Sequence, residues 1–151
     1  MVDVELVEVP SETVARVRRR VPVQGMAEFF THAFEQVMHV LPEAGGRVSG
    51  PPFGWYHGMP TDTVDVSAGF PVAGDVHVPD GGVVVEERPG GRAAVAVHVG
   101  PYDTIQDTYG QVMAWIGEHT LTPREDMWEE YLSEPTGDPA NWRTRVVIPV
   151  R

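Results

Sequence analysis

The sequence predicts an α+β fold built from a duplicated β-β-α-β-β module. Two segments have the apolar spacing of amphipathic helices, and most of the remaining chain alternates polar and apolar residues as strands do. These elements occur twice in the same order, with matching residues about 79 positions apart. We therefore expect a single domain of two repeats, about 1–75 and 80–151, that form an eight-stranded curved antiparallel sheet with two helices.

Apolar residues three or four positions apart predict the two helices. The first stripe begins at Met26 and ends at Leu41, directly before a proline that cannot continue a helix. The second stripe begins at Ile105 and ends at Ile116. Asp103 is expected to be the N-cap of the second helix, because its carboxylate can accept from the first free backbone N–H groups.

Period-two alternation predicts the strands, and turn-forming residues separate them. The Pro-containing segments 8–12 and 87–91 are expected to be hairpin connections between consecutive strands. The predicted strands are about 2–9, 13–21, 53–58, 64–70, 83–88, 92–99, 127–132 and 143–148.

Matched residues indicate the duplication and also show where the repeats differ. Gly54 in the first repeat corresponds to Glu129 in the second, so only one half supplies an acid. A pseudo-two-fold axis between the repeats would create a groove with Tyr56 and Tyr131 on equivalent walls. The matched pairs are Pro10 with Pro89, Pro22 with Pro101, Phe30 with Tyr109 and Val37 with Ile116 at an offset of 79, Phe53 with Trp128 at 75, and Phe70 with Ile148 at 78.

Composition excludes several classes of protein. The net charge of −11 argues against a nucleic-acid surface, which needs a basic footprint. Without cysteine, the chain has no disulfide, catalytic thiolate or cysteine-based zinc site. No histidine spacing fits a metal site, so neither a metal nor a cofactor is expected. The N-terminus is acidic and alternating, and no apolar run is long enough to span a membrane, which predicts a cytoplasmic protein.

The acid that the sequence singles out is Glu129, in the strand of residues 127–132. Side chains alternate along a strand, so Glu129 shares a face with Tyr131, whereas Glu130 points to the other face with Trp128. A carboxylate between aromatic rings can attract a cation, or act as a general acid or base. An exposed glutamate paired with a neighbouring arginine is the alternative. Glu130 is expected at a surface rim.

Five motifs, in register over nearly the whole chain, resemble the GyrI-like family. They are Gly50-Pro51-Pro52-Phe53 with Tyr56-His57, Gly69-Phe70-Pro71-Val72, His98-Val99-Gly100-Pro101-Tyr102-Asp103, Trp128-Glu129-Glu130-Tyr131-Leu132, and Trp142-Arg143-Thr144 before Pro149. That family includes the effector-binding domains of AraC- and MerR-type multidrug-sensing regulators. The resemblance implies a groove that binds bulky aromatic and cationic molecules, with Glu129 and Tyr131 as ligand contacts.

The ligand set predicted from the residues and the resemblance together is Glu129, Tyr131, Tyr56, Tyr109, Gly54 and Arg145. Tyr109 is expected in the core, and its hydroxyl would reach the groove if the second helix borders that groove. Arg145 stands where relatives often carry a second glutamate. It is expected either to pair with Glu129 or to favour a ligand with some anionic character.

Three functions from different classes remain open on the sequence. The first is a freestanding binder of bulky aromatic small molecules that sequesters toxins or senses effectors. In that case a separate regulatory protein would contact DNA, because the first strand begins too early for a helix-turn-helix. The second is a hydrolase of cyclopropane-containing genotoxins, with Glu129 and Tyr131 as catalytic residues. The third is a protein-interaction role such as gyrase inhibition.

Overall fold

A computed structural model describes residues 2–134 and 136–151, which form two compact units. The first unit is Ser11–Pro89, and the second joins Gly90–Arg151 to the N-terminal segment that ends at Pro10. The elements are β1 (Glu5–Val9), β2 (Glu12–Pro22), α1 (Met26–Val40), β3 (Arg47–Val48), β4 (Phe53–Tyr56), β5 (Thr63–Ala73), β6 (Val84–Arg88), β7 (Gly91–Val99), α2 (Ile105–Glu118), β8 (Met127–Tyr131) and β9 (Arg143–Pro149).

The predicted α+β class and the repeated β-β-α-β-β order are confirmed. The first unit has the strand order β4-β5-β2-β6, and β3 is a short addition beside β5. The second unit has the order β1-β7-β9-β8. Every strand pairing within the two units is antiparallel.

The hairpins predicted at 8–12 and 87–91 are wrong. β1 pairs with β7, with Glu5 opposite Val95, and β2 pairs with β6, with Glu12 opposite Arg88. Each repeat therefore receives its first strand from the other repeat. Proline and glycine correctly mark where a strand stops, but a turn signal carries no information about the partner of the following strand.

The first unit has its core between α1 and the sheet. Phe29, Ala33 and Val37 face the sheet from the helix, which packs on β2 and β5. β2 and β5 approach closely at Gly69, where an added Cβ would lie 1.9 Å from the carbonyl oxygen of Ala15. Only glycine fits there, so the close approach of β2 and β5 depends on Gly69.

The second unit repeats this arrangement with α2. Val112 and Ile116 are buried and pack with Ala94, Val146 and Ile148 of the sheet. Each fully buried aliphatic side chain of this kind contributes roughly 1.5–3 kcal/mol. Val112 and Ile116 occupy the positions that match Ala33 and Val37, so the helical stripe found in the sequence is the core stripe in both units.

The N-cap predicted for α2 is wrong. A 3₁₀ turn, Tyr102–Thr104, precedes the helix and contains Asp103, so Thr104 occupies the N-cap position and makes no side-chain capping bond. Pro101 fixes the backbone at the start of this turn, which delays the first α-helical residue until Ile105.

Candidate functional site

Glu129 is a buried acid on β8 with two tyrosine hydroxyls bonded to it. Its side chain is only 7% exposed. The Tyr131 hydroxyl, from two residues along the same strand, donates to Oε1 at 2.9 Å. The Tyr109 hydroxyl, from α2, donates a short hydrogen bond to Oε2. The structure thus brings together three of the predicted site residues in one unit.

Strand alternation and the helical stripe together place these groups. Glu129 lies opposite Val146 and Tyr131 opposite Thr144, so both side chains project from the sheet face that packs against α2. Tyr109 lies within the apolar stripe of α2 and reaches the same face. A buried carboxylate is costly unless hydrogen bonds replace its hydration, and phenol donors to a charged acceptor supply roughly 1.5–3 kcal/mol each.

Arg145 pairs with Glu130. Its Nη1 donates to Glu130 Oε1 at 3.1 Å and to Oε2 at 3.0 Å. Trp128 Nε1 donates to the same carboxylate at 3.1 Å, which fixes Glu130 and Trp128 on one face. The expected pairing of Arg145 with Glu129 is therefore wrong. Arg145 lies directly opposite Glu130 in the register, and directly opposite residues share a face.

Glu130 is also less exposed than predicted. Its side chain is 14% exposed because Arg145 and Trp128 cover it. The prediction that the two adjacent glutamates point to opposite faces is confirmed, since Glu129 accepts from Tyr131 and Tyr109, whereas Glu130 accepts from Trp128 and Arg145. This separation leaves Glu129 as the acid of the aromatic face and makes Glu130 the acid of an ion pair.

Two further aromatic residues extend the site in the second unit, and the predicted ligand set lacks both. The Tyr102 ring meets Tyr131 edge-on, with centroids 5.8 Å apart and planes at 65°. Tyr102 also packs on Trp142, with centroids 5.0 Å apart. Both residues lie in motifs that carry the family resemblance. Periodicity predicts which face of a helix or strand a residue occupies, but it does not predict that a residue of a 3₁₀ turn lies beside a strand.

Tyr102 is the exposed member of this aromatic group. Its side chain is 39% exposed, whereas Tyr131, Tyr109 and Trp142 are half-buried. Desolvation raises the pKa of the Tyr102 hydroxyl, and the negative charge of Glu129 raises it further. Tyr102 therefore stays neutral at physiological pH and offers an uncharged ring face beside the acid.

Gly54 and Tyr56, the other predicted site residues, belong to the first unit. Gly54 lies on β4 opposite Ala68, and Tyr56 lies opposite Val66. Tyr56 is half-buried and packs against the core of that unit together with Phe30. Their contribution to a ligand groove stays a prediction.

Metal binding has no support in the described part of the chain. No group of three or more His, Asp or Glu side chains there is arranged to hold a metal ion. A surface depression on α1 is lined by Arg19, Glu28, His32, Glu35, Gln36 and His39. Its lining is polar and charged, which does not suit an apolar ligand. In the same described residues, no helix has the length and hydropathy needed to cross a membrane.

The fold and this site define a class of protein: a duplicated α+β domain with a buried, tyrosine-bonded acid beside exposed aromatic surface. The family model of the GyrI-like small molecule binding domain matches residues 2–151. The chain belongs to this family. A comparison with curated proteins found no match.

Solved structures share the fold at low sequence identity. The C-terminal domain of EcmrR is 23% identical, covers 100% of this chain and 98% of its own, and has a TM-score of 0.88. EcmrR in its DNA-bound complex is also 23% identical, with a TM-score of 0.85 over 99% of this chain. This chain spans 57% of that longer protein.

Two further solved structures have lower identity; one is described as a ligand complex and the other as a hydrolase. SAV2435 bound to tetraphenylphosphonium is 14% identical, covering 99% of this chain and 94% of its own, with a TM-score of 0.73. A hydrolase from Listeria innocua is 16% identical, covering 99% and 92%, with a TM-score of 0.68. At these identities the likeness concerns the fold alone.

Proposed function

We propose that this domain binds bulky aromatic cations, with Glu129 as the charged contact and Tyr131, Tyr102 and Trp142 as ring contacts. The observation that carries the proposal is a buried carboxylate to which two neutral tyrosines donate. Neutral phenol donors leave the negative charge of the carboxylate in place, and that charge attracts a cation. Burial strengthens attraction to a cation, because the local dielectric is lower than that of water.

The pairing of Arg145 with Glu130 supports the preference for cations. A guanidinium beside Glu129 would neutralise it and turn the site toward neutral or anionic ligands. Arg145 is instead held by two hydrogen bonds on the other sheet face. The alternative that Arg145 attracts an anionic ligand group is thereby weakened.

The aromatic rings supply the second half of the recognition. Tyrosine and tryptophan faces attract cations, by about 0.5–2 kcal/mol per contact, and they pack on aromatic substituents of a ligand. Tyr102 is the most exposed of these rings, so it is the first candidate for ligand contact. SAV2435, which shares the fold, was described with tetraphenylphosphonium bound, and that ion has the chemistry proposed here.

A titration with tetraphenylphosphonium tests the proposal. We expect Glu129→Gln to weaken binding about 10- to 100-fold, the range for losing one charged contact, without abolishing folding. Glu130→Gln is the matched control, because it removes the same charge from the adjacent residue but on the other face. Tetraphenylborate, an anion of the same shape, should bind much more weakly than the phosphonium. Equal affinity of wild type and Glu129→Gln would contradict the proposal.

The biological use of such binding is proposed to be effector sensing or sequestration. EcmrR contains a domain of this fold within a longer protein solved with DNA. By analogy, this chain would sense a ligand and pass the signal to a regulatory partner, or simply hold a toxic compound. A pull-down with and without tetraphenylphosphonium distinguishes these uses, since only sensing predicts a partner whose binding depends on the ligand.

A second candidate is hydrolysis of a strained cyclopropane ring, because Glu129 has phenol O–H groups within hydrogen-bond distance. Glu129 would take a proton from water while the water oxygen bonds to a ring carbon. The electron pair of the broken C–C bond would move to a conjugated carbonyl oxygen, which Tyr131 protonates. Mass spectrometry after incubation decides between the candidates: a product heavier by one water supports hydrolysis, and recovery of intact compound rejects it.

A further inference from the structure

His98 is a buried histidine that links three consecutive pieces of the second unit. It lies at the end of β7 and is 5% exposed. Its Nε2 contacts the carbonyl oxygen of Pro101 at 2.9 Å, and its Nδ1 contacts the hydroxyl of Thr108 at 2.7 Å. A carbonyl can only accept, so Nε2 carries a proton; in the imidazole tautomer with that proton alone, Nδ1 accepts from Thr108. The imidazole therefore ties the strand both to the following turn and to α2.

The turn that His98 holds is the one that presents Tyr102. Thr104 donates from its hydroxyl to the same Pro101 carbonyl oxygen at 2.9 Å, and its Oγ1 lies 3.3 Å from His98 Nε2. At the start of the turn, the N–H of Gly100 donates to the Trp142 carbonyl at 2.8 Å. Gly100 has a φ of 135°, which favours glycine. The backbone on both sides of Tyr102 is thus fixed by hydrogen bonds.

The first unit shows that this histidine is not required to build the module. The position that matches His98 is Arg19, which is exposed, and the position that matches Thr108 is Phe29. The first unit nevertheless has a 3₁₀ turn, Val23–Gly25, followed by a long helix. In that turn, Val23 stands where the second unit has Tyr102. The histidine and the ring that it positions therefore occur together, in the unit that has the buried acid.

A row of side chains also connects His98 with the ligand face. His98 on β7 lies opposite Thr144 on β9, and Thr144 lies opposite Tyr131 on β8. All three residues share one sheet face, because directly opposite residues of an antiparallel pair do so. Tyr131 is bonded to Glu129 and contacts the Tyr102 ring. His98 is thus placed behind the aromatic wall without itself belonging to it.

We propose that His98 is a positioning residue, which anchors the 98–104 turn so that Tyr102 forms a fixed wall of the Glu129 site for ligands with aromatic rings. This inference rests on the proposed ligand binding at Glu129. The hydrogen bond from Nε2 to the Pro101 carbonyl oxygen holds the turn, whereas the hydrogen bond between Nδ1 and Thr108 contacts α2. The two nitrogens can be tested separately.

Replacement of His98 by glutamine or asparagine separates the two contacts. The amide nitrogen of glutamine reaches about as far as Nε2, and that of asparagine about as far as Nδ1. We expect His98→Gln to keep the Pro101 bond and His98→Asn to lose it. Hydrogen exchange of the full chain without ligand should then show faster exchange at Gly100 and Thr104 in His98→Asn than in His98→Gln. Equal exchange in both variants would overturn the proposal.

Binding provides the second measurement. Tetraphenylphosphonium should bind His98→Asn about tenfold more weakly, as expected for one neutral hydrogen bond, and His98→Gln within about threefold of wild type. Tetramethylammonium has no ring to pack on Tyr102 and keeps only the cation–π attraction, so it should lose less affinity in His98→Asn than tetraphenylphosphonium does. A purely structural role predicts instead that both cations lose affinity by the same factor, the fraction of protein that has unfolded, and that result would overturn the proposal.

Tyr102→Ala gives a route that does not depend on the folding of the histidine variants. Tyr102 lies in the turn before α2 and is 39% exposed, so the variant should fold and should lose tetraphenylphosphonium affinity to the same extent as His98→Asn. In the double variant the losses should not add, because both changes remove one wall. Additive losses would overturn the proposal. If wild type fails to bind tetraphenylphosphonium, ligand binding at Glu129 is wrong, and the exchange experiment still decides the role of His98.

Discussion

Each unit pairs its strands in an equivalent register, and the two units differ in the side chains on the sheet face that packs on the helix. Gly54 lies opposite Ala68 in the first unit, and Glu129 lies opposite Val146 in the second. Tyrosine is retained in the next row, at Tyr56 and Tyr131. The remaining matched positions, with the first unit named first, are Phe29 and Thr108, Phe30 and Tyr109, and Val66 and Thr144.

This difference separates what the fold requires from what the site requires. The first unit has glycine where the second unit carries an acid, and apolar core side chains where the second carries two hydroxyls and a phenol. Hydrogen bonds only offset the cost of burying such polar groups, and apolar side chains build the equivalent core in the first unit, so the fold does not require the polar set. The polar set of the second unit is therefore the part of the duplication to test for function.

The largest effect on stability is expected from Tyr109→Phe, which makes α2 resemble α1 at Phe30. The change removes one of the donors to the buried Glu129 carboxylate. We expect the free energy of unfolding to fall by roughly 1.5–3 kcal/mol, as for a hydrogen bond to a charged group. Urea denaturation measures it.

A double-mutant cycle with Glu129→Gln is the control for Tyr109→Phe. In the Gln background the cost of Tyr109→Phe should drop to about 0.5–1.5 kcal/mol, because the acceptor is then neutral. An unchanged cost would mean that Tyr109 stabilises the protein through packing and not through its hydrogen bond to Glu129. Tyr109 and Phe30 would then differ in shape alone.

An intermediate effect is expected at Thr144, the counterpart of Val66. Thr144 is fully buried, and its hydroxyl has no hydrogen-bond partner among the described residues. Thr144→Val should therefore stabilise the protein by about 1 kcal/mol, and the reverse change Val66→Thr should destabilise it by about 1–3 kcal/mol. Thermal unfolding of both variants checks the pair. A loss of stability in Thr144→Val would show that a water or ligand uses the hydroxyl.

The smallest effect concerns the outer face of the sheet. Arg18 donates to both carboxylate oxygens of Asp65 in the first unit, whereas Val97 and Arg143 stand at the matching positions of the second. The hydrogen bond from Arg18 holds the pKa of Asp65 below its usual range. A lowered folded-state pKa stabilises the protein above the pKa of the unfolded state, and this stabilisation is lost as pH falls through the folded-state value.

Asp65→Asn should therefore lower the free energy of unfolding at pH 7 by less than about 1 kcal/mol, since the pair is partly exposed to solvent. The difference from wild type should vanish in acid, below the folded-state pKa. Urea titrations at pH 7 and in acid measure both expectations. Asp75→Asn, a change at a far more exposed aspartate, is the control. A difference that persists in acid would assign the effect to packing.

Periodicity made most of the fold predictable, because it reports burial directly. The apolar stripes begin at Met26 and Ile105, which are the first residues of α1 and α2, and the strand of Glu129 was placed within one residue. Alternation also separated Glu129 from Glu130. These properties depend on residues close in sequence, where side-chain direction follows from local geometry.

Other properties depend on partners far apart in sequence, and these were not predictable. The partner of Arg145 follows from the register of β8 against β9, which no local pattern encodes. The approach of Tyr102 to Tyr131 depends on a 3₁₀ turn that replaced the predicted N-cap. The hydrogen bonds of His98 likewise join residues whose proximity requires the completed unit.

The pairing of β1 with β7 has a consequence for how the chain is made. Glu5 lies opposite Val95 in the register, so β1 finds its partner only after some ninety further residues have been synthesised. Closing so long a loop is entropically costly and slow. β1 therefore stays unpaired after Ser11–Pro89 has been synthesised. The charges of its acidic residues Glu5 and Glu8 disfavour its pairing with the edge of another sheet.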